Sequence, residues 1–235
     1  MTAIFRYSDS IIARYPNVVG GIIELRGVQG GISQPELLQR FAAEQRAVLA
    51  RIGDIPLSQI ESLAAWRSVF RSFGVDPTQI RSACEALLRR LTKQGDIPSI
   101  NRLVDIGNLV SIRYGLPVAV VDTRALTGGI TVRDAAGTEP FTNLGTTDIV
   151  NPDPGEVIFA DDTGLVYARR WCWRQSDQSA SREDTTDCIV TVEAHHANGR
   201  RDVDAALEDL RALFAEFAGG TQRSQVLTKD QPLFD

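Results

Sequence analysis

The stretch of this chain best equipped for chemistry is ARRWCWRQS at residues 168–176, which gathers two of the three tryptophans and three arginines into one short segment. Read as the continuation of the strand-like GEVIFADDTGLVY, it alternates. Tyr167, Arg169, Trp171, Trp173 and Gln175 fall on one face, and Arg170, Cys172, Arg174 and Ser176 on the other. An aromatic face edged by guanidinium groups can stack nucleobases, each stack being worth about 1–3 kcal/mol, while the arginines meet phosphate. The same pattern also suits Trp–Arg packing across a sheet, with the arginine stems buried.

A second constellation is Asn101, Asp105 and Asn108, spaced i, i+4 and i+7 along the otherwise apolar PSINRLVDIGNLVSIRYG. A buried polar stripe is costly unless satisfied, so these side chains are expected either to cap neighbouring loops or to face a wet cavity. Arg67, Arg71, Arg81, Arg89 and Arg90 form an arginine set that fits an RNA-facing flank or a solvated helix face equally well.

The familiar catalytic signatures are missing: no G-x-S-x-G elbow, no phosphate-binding G-x-x-x-x-G-K-[ST] loop and no H-E-x-x-H helix. The two histidines, His195 and His196, are adjacent, so on a strand they point to opposite faces and are not expected to share a metal. Cys84, Cys172 and Cys188 lack C-x-x-C spacing and are expected to be reduced thiols. The residues call for no metal and no cofactor.

Bulk properties narrow the class. A hydrophobic fraction of 43% with 23% charged residues is that of an ordinary globular chain. No run approaches the roughly 18 apolar residues of a membrane span, and MTAIFRYSDS lacks a signal pattern, so a cytoplasmic protein without a membrane partner is expected. A net charge of −5 argues against a surface coated for DNA or other polyanions, though not against a local basic patch.

These residues must be positioned by surrounding elements. NVVGGIIELRGVQ predicts a strand, and SQPELLQRFAAEQRAVLARI a helix with Leu38, Phe41, Val48, Leu49 and Ile52 near one face. Leu63, Trp66, Phe70 and Phe73 recur at helical spacing in the next segment, ended by Gly74. VDPTQIRSACEALLRRLTKQG predicts a helix capped by Asp76, with Pro77 first, Gly95 beyond its end, and Ile80, Cys84, Leu87 and Leu91 buried. From Pro117 onward short β-rich runs dominate, and a helix carrying Val203, Leu207, Leu210, Phe214 and Phe217 precedes an extended tail from Thr221. Helices first and strands later predict an α+β fold with a mainly antiparallel or mixed sheet.

Four segments in this order resemble the editing (B3/B4) domain of the phenylalanyl-tRNA synthetase β subunit: NRLVDIGNLVSIRYGLPVAVVD (101–122), GGITVRDAAGTEPFTNL (128–144), EVIFADDTG (156–164) and DTTDCIVTVEA (184–194). AAWRSVFRSFGVDPTQIRSACEALLRR (64–90) and ARRWCWRQS resemble instead the freestanding members of that family. The resemblance implies a single B3/B4-type domain over 1–235: a strand and helical part at 1–100, a β-rich editing-site part at 101–200, a helix at 201–218 and a tail at 219–235. It implies an aminoacyl-tRNA hydrolase acting in trans on the 3′ aminoacyl-adenosine end of a misacylated tRNA. Some freestanding relatives are canavanyl-tRNA(Arg) deacylases.

On this resemblance Glu193 matches the glutamate of the editing pocket, expected to orient the amino group or the attacking water. Arg174 or Gln175, with backbone amides, is expected to polarise the ester, and Trp171 or Trp173 to stack on the terminal adenosine. Asn101, Asp105, Asn108 and Asp122 match the helix and strand pattern, and Arg67 and Arg71 join the substrate-binding candidates. Glu193 or Asp105 would supply a carboxylate for a guanidinium-like side chain. Two departures stand out: Ala119 replaces the synthetase's pocket histidine, and RRWCWRQ replaces its glycine-rich segment. Two rival readings remain: a tRNA-binding module that has lost hydrolysis, and a small-molecule esterase or amidase.

Overall fold

Half of the helix ends in the computed structural model, which describes residues 4–235, fall where the chain supplies a capping residue. After β1 (Phe5–Tyr7), α1 (Asp9–Arg14) and β2 (Val19–Arg26), helix α2 (Pro35–Ile52) begins on a proline and stops at Gly53, whose φ is 49°. Next come α3 (Glu61–Ser72), α4 (Ala83–Gln94) and α5 (Arg102–Tyr114). Ser82 and Asn101 cap α4 and α5 through their side chains, and left-handed Gly95 and Gly115 end them. Each such cap is worth about 1 kcal/mol.

The strands follow: β3 (Val118–Asp122), β4 (Ile130–Asp134), β5 (Phe141–Thr142), β6 (Ile149–Val150), β7 (Val157–Ala160), β8 (Val166–Arg169), β9 (Arg174–Gln175) and β10 (Cys188–Ala194). Helix α6 (Gly199–Phe217) and strands β11 (Thr221–Leu227) and β12 (Leu233–Phe234) complete the chain. The architecture is α+β. One four-stranded antiparallel sheet has the order β11-β2-β10-β3, and a six-stranded sheet the order β12-β1-β4-β7-β8-β9, with β1 and β4 its parallel pair. β5 and β6 form a small separate hairpin.

The four-stranded sheet is the middle layer. Strand β10 is buried along its whole length and its side chains alternate between two cores. Cys188, Val190, Val192 and Ala194 join the apolar core built with α2, α5 and α6. Ile189 turns to the other side, into the core shared with the six-stranded sheet, where Tyr7, Trp66 and Trp171 also lie. Thr191 and Glu193 share that second face by strand period.

Four sequence expectations are corrected. ARRWCWRQS is not one strand: β8 ends at Arg169, the chain reverses through Arg170 and Trp171 at φ 46° and 62°, and β9 pairs back with Arg169 opposite Arg174. Trp171 and Trp173 therefore do not share a strand face. The helix expected from Asp76 starts instead at Ala83. Asp76 accepts hydrogen bonds from the Thr78 amide and hydroxyl and closes a turn, and Ser82 takes the cap. Its buried residues are Cys84, Glu85, Leu88 and Leu91 rather than the stripe through Ile80 and Leu87. The segment from Thr221 is no tail, since β11 pairs with β2 over seven residues and β12 with β1, joining the two sheets. In α2, Leu37 rather than Leu38 faces the core, because the helix begins at Pro35 and its buried arc is set from there.

Candidate functional site

Glu193 stands near the end of β10 and points into the space between the two sheets, where it is 2% exposed. Its Oε1 accepts the Tyr7 hydroxyl at 2.6 Å and the Trp171 indole N–H at 3.0 Å. The Trp66 indole N–H donates to the Glu193 carbonyl at 3.3 Å, so three elements far apart in sequence converge on one residue. Among the described residues Oε2 receives no such bond. Burial outweighs the two hydrogen bonds and pushes the Glu193 pKa from 4.5 up to about 7.

The carboxyl opens onto a cavity with largely apolar walls, among them Val118, Ala119, Phe159, Ala168 and Trp171. Thr191, two residues before Glu193 on the same strand face, adds a hydroxyl, and Trp173, Arg174 and Gln175 line the cavity from the hairpin. Ala119 lies directly across the strand pair from Thr191. The position where the resemblance expected a histidine is thus inside the cavity and carries only a methyl group. Among the described residues no histidine lines it. Cys172 does, but burial, with the nearby Glu193 charge, raises its thiol well above the usual range, which leaves it a poor nucleophile.

The reach of Tyr7 depends on a glycine. Gly20 is paired opposite Glu193, and a Cβ there would sit 2.1 Å from the Tyr7 hydroxyl oxygen. Gly20→Ala is expected to cost about 1–3 kcal/mol of unfolding free energy, as overpacked cores do. In a Tyr7→Phe background the nearest atom becomes the ring carbon now at 3.1 Å, so the cost should shrink and the two substitutions should couple in a double-mutant cycle. Additive costs in denaturant titrations would show that Gly20 is not making room for the hydroxyl.

The hairpin that replaces the expected strand is held from below. Arg169 donates two hydrogen bonds to Glu156, at 2.9 and 2.6 Å, and Glu156 Oε1 also accepts the Arg170 amide at 2.9 Å. A left-handed non-glycine residue costs about 1–2 kcal/mol. These bonds and the burial of Trp171 offset that cost. Trp171 is fully buried, with ring centroids 5.5 Å from Trp66, 5.1 Å from Tyr15 and 4.8 Å from His195. Trp173 is half-buried, with the Arg170 and Arg174 guanidinium groups 4.4 and 4.6 Å from its centroid.

The remaining sequence candidates are distributed as follows. Arg174 is exposed at the cavity edge. Gln175 also lines the cavity, yet its amide donates to the Val120 carbonyl at 3.1 Å and so ties the hairpin to β3. Asn101 caps α5 through the Val104 amide and bonds the Ser181 carbonyl. Asp105 is fully buried and accepts from Ser33, Ser99 and the Ile100 amide, which leaves it unable to greet a substrate guanidinium. Asn108 is half-buried. None of these three lines the Glu193 cavity, because α5 packs in the core on the other face of the four-stranded sheet, with Val190 and Val192, while Glu193 points away from that core. Asp122 accepts from Thr185 and Arg124 at the end of β3. Arg67 is paired with buried Glu85 at 2.5 Å, and Arg71 is exposed in the last turn of α3.

The histidines play separate parts. His195 sits among Trp66, Trp171 and Tyr15, and desolvation pushes its pKa down to about 3. His196 pairs through Nε2 with Asp202 at 2.9 Å. Among the described residues no three His, Cys, Asp or Glu side chains are grouped to hold a metal, and no helix is long and apolar enough to cross a membrane.

Sequence reasoning missed Tyr7, Gly20, Thr191 and Trp66 as parts of the site. The one available signal was the Gly20–Gly21 pair within a strand, since strand glycines mark close approach of another group.

Comparison with known proteins places this geometry in context. Residues 65–219 match the model of the B3/4 domain. The chain is 32% identical over 189 residues to the phenylalanine–tRNA ligase beta subunit of Nocardia farcinica, covering 71% of this chain and 22% of that protein. It is 36% identical over 172 residues to the same subunit of Fusobacterium nucleatum, covering 64% of this chain and 21% of the relative. The chain therefore spans about a fifth of the length of these relatives. A crystal structure of an N-terminal fragment of the phenylalanyl-tRNA synthetase beta subunit from Pyrococcus horikoshii is similar with a TM-score of 0.48 at 13% identity, covering 93% of this chain and 50% of that one.

Proposed function

The chain belongs to the B3/4 domain family, and from that starting point we propose that it hydrolyses the ester joining a wrong amino acid to the 3′ end of tRNA, acting in trans. The observation that carries this reading is Glu193: a buried carboxyl, one oxygen held by Tyr7 and Trp171, the other without a partner among the described residues, beside an apolar cavity edged by Arg174. An aminoacyl ester is already activated, so its hydrolysis needs a positioned water and a stabilised oxyanion more than a dedicated nucleophile.

In this reading a water bound at Glu193 Oε2 attacks the ester carbonyl carbon and gives its proton to the carboxylate. The carbonyl oxygen becomes the oxyanion of a tetrahedral intermediate, faced by Arg174. Collapse breaks the bond to the ribose oxygen, which takes the proton back from Glu193. A carboxyl with a pKa of about 7 suits both halves of that transfer at neutral pH.

The test is deacylation of a panel of misacylated tRNAs, including tyrosyl-tRNA(Phe) and canavanyl-tRNA(Arg), each beside its cognate ester. Rapid loss of one misacylated species with its cognate spared is the expected result. Survival of every ester alongside salt-sensitive tRNA binding would replace this reading with that of a binding module. Hydrolysis confined to small esters, with no tRNA bound, would make the protein a small-molecule esterase.

A further inference from the structure

The hairpin residues Trp173 and Arg174 line two cavities at once: the Glu193 cavity and an open groove running along α4. The groove's charged lining is Arg81, Arg89, Arg90, Lys93 and Arg174, with no carboxylate among its lining residues, in a chain whose net charge is −5. Arg89, Arg90 and Lys93 lie on one exposed face of α4 by their spacing of one, three and four. The N-terminal end of that helix is tied to the hairpin by the Ala83 amide, which donates to the Cys172 carbonyl at 2.7 Å. Among the described residues Arg89, Arg90, Lys93 and Arg174 make no ion pair, whereas Arg67 and Arg81 are engaged by Glu85. The helix dipole accounts for Lys93 in the last turn of α4, but not for Arg174, which comes from another element.

Arg89, Arg90, Lys93 and Arg174, gathered without an ion-pair partner among the described residues, repel one another and lower their energy when an extended anion lies across them. We infer that this groove is the track for the phosphate backbone of the tRNA strand whose 3′ end enters the Glu193 cavity, with Trp173 and Arg174 at the junction. The inference rests on the proposed function for its occupant and adds the surface that binds it. It narrows the RNA-facing arginine set of the sequence to Arg89 and Arg90 on the exposed face of α4 and adds Lys93 and Arg174 to them.

The test uses the full chain and uncharged tRNA, with binding followed from about 50 to 200 mM salt. The triple variant Arg89→Gln/Arg90→Gln/Lys93→Gln is expected to bind at least tenfold more weakly at the lower salt. Its slope of log affinity against log salt should fall by about 2, as three released phosphate contacts require. A control variant, Arg200→Gln/Arg201→Gln/Arg211→Gln on the exposed part of α6, should keep the wild-type slope. Hydrolysis of a short 3′-aminoacyl-adenosine ester by the α4 variant should equal wild type. An unchanged salt slope in the α4 variant would overturn the inference even if every misacylated tRNA were hydrolysed. Loss of short-ester hydrolysis in parallel with binding would also overturn it, because the substitutions would then act on the cavity. Should no ester be hydrolysed by the wild type, the proposed activity fails while the salt slope still decides the groove.

Discussion

Glu193→Gln is expected to slow deacylation by about 10²–10⁴-fold, the usual worth of a positioned acid–base group, while leaving tRNA affinity near wild type. Glutamine keeps an oxygen to accept from Tyr7 and Trp171, so the pocket should retain its shape and lose only its ability to take a proton. In the wild type, kcat/KM should rise with pH as Glu193 ionises, through about pH 7. Tyr7→Phe removes a hydrogen bond that lowers this pKa, and should move the rise to higher pH. A Glu193→Gln protein that deacylates at the wild-type rate would sink the catalytic role.

The same substitution carries a stability signature independent of any substrate. Between pH 4.5, the ordinary carboxyl value, and about 7 the folded protein holds a proton on Glu193 that the unfolded chain has released. Stability from this group is therefore full below 4.5 and falls as pH rises to about 7, by about 3 kcal/mol in all at 1.4 kcal/mol per unit. Urea titrations at pH 5 and pH 8 should show wild type losing stability across that interval and Glu193→Gln losing less. Equal losses in both proteins would mean that the carboxyl is not desolvated.

Trp171→Ala is expected to be the most destabilising single change at the site, costing about 3–5 kcal/mol, because it empties the centre of an aromatic cluster. The alanine would keep the left-handed backbone, φ 62°, without the ring burial that offsets it, and Glu193 would lose one of its two donors. Trp173→Ala offers the contrast. Its half-buried ring touches two guanidinium groups, each contact worth about 0.5–1 kcal/mol, so stability should change little while tRNA affinity drops. If Trp171→Ala left the thermal midpoint unchanged and weakened only RNA binding, Trp171 would be a stacking platform after all.

What could be read locally was read well where one periodicity and one cap governed an element. The helices around Phe41, Trp66, Leu109 and Leu210, and the strand through Ile22, emerge from side-chain spacing because each buries one face against a core that spacing alone defines. Glu193 was singled out by a motif alone, and the pairing of β10 within its sheet decided that it faces away from the helices. Alternation failed at Arg170 and Trp171, since nothing within ARRWCWRQS announces a reversal without glycine. That choice is made by Glu156, which binds Arg169 and the Arg170 amide, and by the aromatic cluster that accepts Trp171. The stripe of Asn101 and Asp105 was correct as a pattern and silent on purpose, because a polar side chain that caps a helix and one that lines a cavity have the same spacing. The partnership of Tyr7 with Glu193 joins residues 186 positions apart across two sheets. Sequence determined that a carboxylate would stand on that strand; only the packing of one sheet on the other, through the space left by Gly20, decided that a tyrosine and a tryptophan would hold it as a half-neutral acid.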